Sequence, residues 1–282
     1  MEIINSAMNF GFDTKQKGFE DKSVIDVNAI ISRESYDWIN DETLVVVIKV
    51  SESNLGKNSS GLEICGKTML DWVLLSSSGC EQKVIDEPSE EEFLNTIKMI
   101  ANEKPFVAVF YSDTPLIQKK TFYQIMDFFS KSNTNVLKLL RGYVFRTKYL
   151  QLMNSIFSPR QEDFNVEEFT LVNNAQKLNN AFKVLNERIL NYHKQNNTVI
   201  FGEETVFIDA DVEIESGVTI YPNNVLKGQS YIGKNVTLES GNIISDTLVC
   251  DNSTIIASYL DKSKVSAGKT IGPFVKAFNE NI

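Results

Sequence analysis

The strongest constraint on the fold of this 282-residue chain is a six-residue repeat in its last third. The apolar positions of the repeat are Ile208, Ile214, Ile220, Leu226, Ile232, Leu238, Ile244, Cys250 and Ile256. Small or turn-forming residues such as Gly217 and Gly228 fall between them. A short fixed period of this kind is typical of a solenoid, in which stacked units bury one continuous core.

The period of six indicates which solenoid is formed. Inward aliphatic residues separated by small corner residues resemble the hexapeptide repeat of left-handed parallel β-helices. Chance alternation in a globular β-domain is the competing interpretation, but nine repeats in phase are hard to explain in that way. With three hexads in each coil, we predict a β-helix of about four coils.

Strand and helix patterns alternate upstream of the repeat. Residues 43–48 and Phe106–Tyr111 are continuous apolar runs, as expected for strands that are buried on both faces of a parallel sheet. Amphipathic patterns predict helices at 66–75, from Ser89 onward and at 119–130. This order of strands and helices predicts an α/β domain.

Apolar residues at helical spacing over 178–192 predict one long helix between the α/β domain and the β-helix. We therefore divide the chain into four segments. Residues 1–42 have no assignable role, 43–172 form the α/β domain, 173–197 form the linker helix, and 198–282 form the β-helix and a short tail.

Composition excludes several classes of function. The net charge of −9 argues against binding to nucleic acid or to an anionic membrane. No apolar run is long enough to span a bilayer, and the first residues show no secretory signal. Cys65, Cys80 and Cys250 lack C-x-x-C spacing and fit reduced thiols, so we expect a cytoplasmic protein.

Asp113 is the first candidate for a functional site. It follows the predicted strand that ends at Tyr111, and ligands of open α/β sheets bind beyond the carboxyl ends of strands. A carboxylate at this place could hold a magnesium ion that bridges phosphates. The alternative is that Asp113 only caps the turn before Pro115.

Four segments carry a resemblance to a known family. Residues 111–117 are similar to a G-D-x-P-L-I motif, 172–176 to the start of V-N-N-R-x-Q, 270–274 to T-I-G-P-F, and 66–69 to G-K-P-M. These motifs, in this order, resemble bacterial N-acetylglucosamine-1-phosphate uridylyltransferases of the bifunctional type. The resemblance implies a Rossmann-like nucleotidyltransferase-type domain before the β-helix.

The resemblance also implies chemistry. An enzyme of this type transfers a uridylyl group from UTP to N-acetylglucosamine 1-phosphate and depends on Mg²⁺. The family's metal ligands fall on Asp113 and Asn173, and a family lysine falls on Lys67. Family members form trimers through the β-helix, so a homotrimer is implied here, together with a nucleotide or sugar-phosphate ligand.

Two departures from the family bear on activity. The family's glycine-rich phosphate loop is replaced by residues 49–57, where Glu52 adds a negative charge that phosphates would oppose. The nearest cations, Lys57 and Lys67, are the candidate substrate-binding residues. The stretch between Asp113 and Asn173 is also about half as long as in the family, and the missing part carries sugar-binding segments. A shortened domain of this kind is expected to have impaired or absent catalysis.

His193 is the only histidine, and it lies near the end of the predicted linker helix. We expect it to complete the helix C-terminus, where positive charge suits the helix dipole. Acyltransferases built on hexapeptide helices use a histidine as general base, but this one precedes the first hexad. Acetyltransferase activity is therefore not expected.

Two functions remain open from the sequence. One is a Mg²⁺-dependent nucleotidyltransferase, which the retention of Asp113 and Asn173 favours. The other is a non-catalytic trimeric scaffold or regulatory protein that binds a sugar nucleotide, which the lost phosphate loop and the shortened middle favour.

Overall fold

The computed structural model describes residues 36–57, 59–101, 103–156 and 159–282, apart from the side chains of residues 52 and 57. Most of the predicted segment 1–42 therefore lies outside the described residues. Helices α1–α6 are Asp37–Glu42, Met69–Ser76, Glu90–Ile100, Lys119–Lys131, Thr147–Leu152 and Ala175–Gln195. Strands β1–β10 are Thr43–Lys49, Glu52–Ser53, Gly56–Lys57, Glu63–Ile64, Lys67–Thr68, Glu81–Asp86, Phe106–Tyr111, Val136–Leu139, Gly142–Arg146 and Arg160–Gln161.

Six of these strands form one mixed sheet in the order β10-β8-β9-β7-β1-β6. β1 pairs in parallel with β6 and β7, and its first six residues are buried, as the apolar run predicted. β9 runs antiparallel to both β7 and β8. The predicted α/β domain with a Rossmann-like sheet is confirmed, with the addition of one antiparallel strand.

Helices cover both faces of this sheet, because its central strands are apolar on both sides. Val73 of α2 and Phe122 of α4 pack with Val45 and Phe110 on one face. On the other face, Ile97 of α3 packs against β1 and β7. With both faces covered, the carboxyl edge of the sheet is the natural place for a ligand.

The last part of the chain is a three-sided parallel β-helix, as the six-residue repeat predicted. Its strands β11–β24 are Val199–Ile200, Phe207–Ile208, Glu213–Ile214, Thr219–Ile220, Val225–Lys227, Tyr231–Ile232, Thr237–Leu238, Ile243–Ser245, Leu248–Val249, Thr254–Ile255, Tyr259–Asp261, Lys264–Val265, Thr270–Ile271 and Lys276–Phe278. They form three parallel sheets, β11-β14-β17-β20-β23, β12-β15-β18-β21-β24 and β13-β16-β19-β22. Every third strand is thus a neighbour in the stack, and the aliphatic side chains fill the interior.

The six-residue register does not continue to the end of the repeat. The predicted inward residues Cys250 and Ile256 are partly exposed, and Val249 and Ile255 are fully buried in their place. The shift arises between Ile244 and Val249, because these successive inward residues are five positions apart instead of six. Asp246 makes this shorter turn with a left-handed backbone at φ 45°. The prediction was therefore wrong by one residue after Ile244.

Helix α6 connects the two parts of the molecule. Its buried residues Leu185 and Ile189 belong to one apolar cluster with Val206 and Ile208 of the β-helix and with Met69 at the start of α2. Because both parts contribute to one core, α6 is a shared packing element. Among the described residues, no helix has the length and apolar character that crossing a membrane requires.

Candidate functional site

A cleft of about 250 Å³ lies at the carboxyl edge of the mixed sheet. Val50, Glu87 and Asp113 line it, and each closely follows the end of β1, β6 or β7. Asn173 lines the same cleft because the Val172 backbone N–H, 2.8 Å from the Asp113 carbonyl oxygen, ties this segment to the end of β7. The fold therefore brings together Asp113 and Asn173, the two predicted metal ligands.

Asp113 is bound to Arg141 within the cleft. Arg141 Nε donates to Oδ1 at 3.2 Å and Nη2 donates to Oδ2 at 2.8 Å, so both carboxylate oxygens accept from one guanidinium. The Asp113 side chain is 5% exposed, and that of Arg141 is 33% exposed. Burial raises the pKa of Asp113 above its ordinary value, and the Arg141 hydrogen bonds and charge oppose this rise.

The antiparallel strand β9 explains how Arg141 reaches the cleft. Arg141 stands in the turn from β8 to β9, and the start of β9 lies beside the end of β7 because the two strands run in opposite directions. The guanidinium carbon lies 3.9 Å from the centre of the Tyr111 ring, in a cation–π contact. Arg141 is thus fixed by a carboxylate and by an aromatic face.

These residues fit a divalent cation poorly. Asn173 Oδ1 is buried without a hydrogen-bond partner in the described structure, which is what a free ligand oxygen would look like. Both oxygens of Asp113, however, are already bonded to a cation. Within the described ranges, no three His, Cys, Asp or Glu side chains converge as a metal-binding group. Metal ligation by Asp113 and Asn173 remains a prediction.

A short hairpin stands after β1, where the related family has a phosphate loop. β2 and β3 pair antiparallel, with Glu52 opposite Lys57 and Ser53 opposite Gly56. Ser53 and Asn54 of this hairpin line the cleft. A paired hairpin uses backbone N–H groups for its own hydrogen bonds, so fewer are left to bind phosphate oxygens.

The two predicted substrate-binding lysines have different settings. The Lys57 side chain lies outside the described part of the structure, so its role remains a prediction. Lys67 Nζ lies 2.7 Å from Asp211 Oδ1 of the β-helix and is not among the residues that line the cleft. The structure therefore places Lys67 in a contact between the α/β domain and the β-helix.

Sequence reasoning missed Arg141 and Glu87 as residues of the site. The pattern of residues 142–145 predicts a strand, but it does not give the direction of that strand. Only an antiparallel β9 returns Arg141 to the carboxyl edge. Glu87 could have been found from the sequence, because it follows the apolar pair Val84-Ile85 as Asp113 follows the apolar run that ends at Tyr111.

His193 is buried at the end of α6, and neither ring nitrogen has a hydrogen-bond partner in the described structure. Burial lowers the pKa of His193 from its ordinary value of 6.5 to about 4. The imidazole is therefore neutral near pH 7, and the expected charge at the helix C-terminus is wrong because desolvation outweighs the helix dipole.

This burial predicts a loss of stability in mild acid. The unfolded chain binds a proton at His193 below about pH 6.5 and the folded chain does not until about pH 4, so stability falls over that window. Compared with His193→Leu, the wild-type protein is expected to lose roughly 2 kcal/mol more between pH 6.5 and 4.5. Urea unfolding across this range would measure it, and parallel pH profiles of the two proteins would contradict the buried neutral histidine.

The fold defines a class: a Rossmann-like α/β domain followed by a parallel β-helix of hexapeptide repeats. Among curated proteins, the chain is 37% identical over 108 residues to the bifunctional protein GlmU of Clostridium acetobutylicum, covering 38% of this chain and 24% of that protein. It is 38% identical over 103 residues to GlmU of Streptococcus agalactiae, covering 36% and 22%. The resemblance to the bifunctional uridylyltransferase family is confirmed, and the chain is a divergent relative of GlmU proteins.

The relation is partial. The chain spans about a quarter of the length of the curated relatives it matches, and no family model matches it.

Two solved structures are also similar at 12% identity. Rv0371c from Mycobacterium tuberculosis H37Rv gives a TM-score of 0.38 and covers 50% of this chain and 97% of that one. Molybdopterin-guanine dinucleotide biosynthesis protein A from Archaeoglobus fulgidus gives 0.39 and covers 51% and 99%.

Proposed function

We propose that this chain is a sugar-nucleotide pyrophosphorylase-like protein, of the type that makes UDP-N-acetylglucosamine, with impaired or absent catalysis. Its cleft would bind a sugar nucleotide or sugar phosphate through Arg141 and Asn173. We also propose that the chain is divided into an α/β domain at 43–172, a linker helix at 173–197 and a β-helix with a short tail at 198–282. We propose a cytoplasmic location for it. Sequence similarity to GlmU proteins supports the ligand class.

The observation that carries the loss of catalysis is the hairpin of β2 and β3 after β1. Nucleotidyl transfer depends on donors held around the triphosphate, and a hairpin that bonds to itself offers few of them. Among the described residues that line the cleft, Asp113 and Glu87 supply two carboxylates and Arg141 supplies one guanidinium. This charge balance opposes a triphosphate more strongly than a diphosphate, which carries less negative charge.

An active Mg²⁺-dependent nucleotidyltransferase is the second candidate. It is favoured by Asn173 Oδ1, which has no hydrogen-bond partner among the described residues and lies in the same cleft as Asp113. In that case the two side chains would hold the cation, which would neutralise phosphate charge during transfer.

Two assays separate the candidates. Pyrophosphate release from UTP and N-acetylglucosamine 1-phosphate with Mg²⁺ is expected to stay at background, while calorimetry detects binding of UDP-N-acetylglucosamine. Asp113→Asn serves as the site variant, and Asp127→Asn, in a solvent-facing pair with Lys131, is the matched control. Turnover that disappears only in Asp113→Asn would establish the enzyme instead. Absence of both turnover and binding would leave the scaffold function.

We also propose that the chain forms a homotrimer through one face of the β-helix. The sheet β12-β15-β18-β21-β24 presents an outward column of apolar residues, Phe207, Val225, Ile243 and Tyr259, which are paired along the stack. Ile243 is 39% exposed and Phe207 is 36% exposed. The equivalent column on the sheet that contains β14 and β17 has one apolar residue, Val199, followed by four threonines, so the apolar face is the better candidate for contact between copies.

Ile243→Lys is therefore expected to convert the trimer to monomer, because it places a charge in the centre of the apolar column. Thr237→Lys, an outward position of a neighbouring face, is the control and is expected to remain trimeric. Light scattering after gel filtration measures the mass of each. A trimer that survives Ile243→Lys would exclude this face as the interface.

A further inference from the structure

We propose that Arg141 replaces the divalent cation in this cleft, so that an anionic ligand binds to the guanidinium directly and without metal. The inference rests on the proposed function for its ligand class, a sugar phosphate or the diphosphate of a sugar nucleotide. Its starting observation is the two-point bonding of Arg141 to both oxygens of Asp113, at 3.2 and 2.8 Å.

A metal ion and Arg141 compete for the same two oxygens. A cation that bound Asp113 would have to displace the guanidinium, or stand beside it and suffer charge repulsion. Displacement would also break the stacking on Tyr111 at 3.9 Å. Asp113 is nearly buried, so it has little other surface to offer a second cation.

Arg141 keeps capacity for a ligand while it holds Asp113. Its bonds to protein atoms in the described structure use Nε and Nη2, which leaves Nη1 as a donor. Its side chain remains 33% exposed and lines the cleft. A guanidinium in this position matches the oxygens of a phosphate group and is never deprotonated near neutral pH.

Asn173 supplies the complementary contact. Its buried Oδ1 is an unsatisfied acceptor in the described structure, and a hydroxyl or N–H group of the ligand would satisfy it. The chemistry of the cleft thus calls for one anionic group beside one donor, as a sugar phosphate provides. Glu87 and Asp113 limit the total negative charge that such a ligand can carry.

Binding of Mn²⁺ by electron paramagnetic resonance tests the competition without any nucleotide. The wild-type protein is expected to show no Mn²⁺ site that depends on Asp113, and Arg141→Met is expected to gain one. The double variant Arg141→Met with Asp113→Asn should lose it again. Arg160→Met, which changes an exposed arginine in the same way, is the control. Mn²⁺ binding by the wild-type protein that Asp113→Asn abolishes would overturn the proposal, even if Arg141→Met does not fold.

Calorimetry with UDP-N-acetylglucosamine tests whether the anionic ligand binds to Arg141 without metal. Its Kd is expected to differ by less than twofold between EDTA and Mg²⁺, and Arg141→Met is expected to weaken binding at least tenfold in EDTA. Binding that requires Mg²⁺ would overturn the inference. Absence of binding in both buffers would overturn the proposed ligand class, and the Mn²⁺ result would still decide whether Arg141 excludes a metal.

Discussion

An Arg141→Met variant is expected to lose about 3–5 kcal/mol of unfolding free energy at pH 7, because it leaves the buried carboxylate of Asp113 without its counter-charge. The loss depends on pH. The pKa of Asp113 is already raised by burial, and removal of Arg141 raises it further, so a larger share of the carboxyl is protonated in mild acid. The variant should therefore recover stability, relative to wild type, as pH falls from 7 toward 4.

Urea denaturation at several pH values measures this effect. The variant that adds Asp113→Asn to Arg141→Met removes the buried charge and is expected to regain most of the loss at pH 7. Arg160→Met should cost little, because its partner Glu162 is exposed to solvent. Equal losses for Arg141→Met with and without Asp113→Asn would show that the ion pair does not determine the stability of the site.

Replacement of Gly142 by alanine is expected to destabilise the protein by roughly 3–5 kcal/mol. Gly142 begins β9 with φ +131°, which side-chain-bearing residues rarely adopt, and an added Cβ would lie 2.3 Å from the Val109 carbonyl oxygen. That atom belongs to the backbone of β7, so relief of the clash must separate the two strands. Because Arg141 is the preceding residue, the same displacement would also disturb its contact with Asp113.

Gly61→Ala is the matched control for this substitution. No heavy atom lies within 4 Å of its added Cβ, and its φ is outside the left-handed region. Thermal unfolding of both variants should show a large shift for Gly142→Ala alone. Similar melting temperatures for the two variants and wild type would mean that the approach of β9 to β7 is looser than described.

The fold was largely predictable because its signals are local. The repeat from Ile208 to Ile244 has one period, and its positions are buried in the structure except Ile214, which is partly buried against the same core. The apolar runs of β1 and β7 and the cap of α3 at Ser89 are equally local, and Ser89 does accept from the Glu92 backbone N–H. Signals of this kind need no knowledge of which strands are neighbours.

The site was predictable only where it depends on a single strand end. Asp113 could be placed because it closely follows β7, whereas Arg141 depends on the pairing of β9 with β7 and on its direction. Pairing across a sheet is a long-range property that periodicity does not contain. The one-residue shift after Ile244 was missed for a related reason. The five-position step from Ile244 to Val249 can be recognised only from the pairing of the strands on either side of it.

The stacked architecture has a consequence for how this molecule opens. Each strand of the β-helix pairs only with strands one coil away, and α6 packs against the first of these coils. Local opening should therefore spread coil by coil from the side away from α6, where residues around Phe278 are largely exposed. Amide hydrogen exchange is expected to be fastest near β24 and progressively slower toward β12. In kinetic terms, the coils of the β-helix that lie nearest α6 are expected to open last.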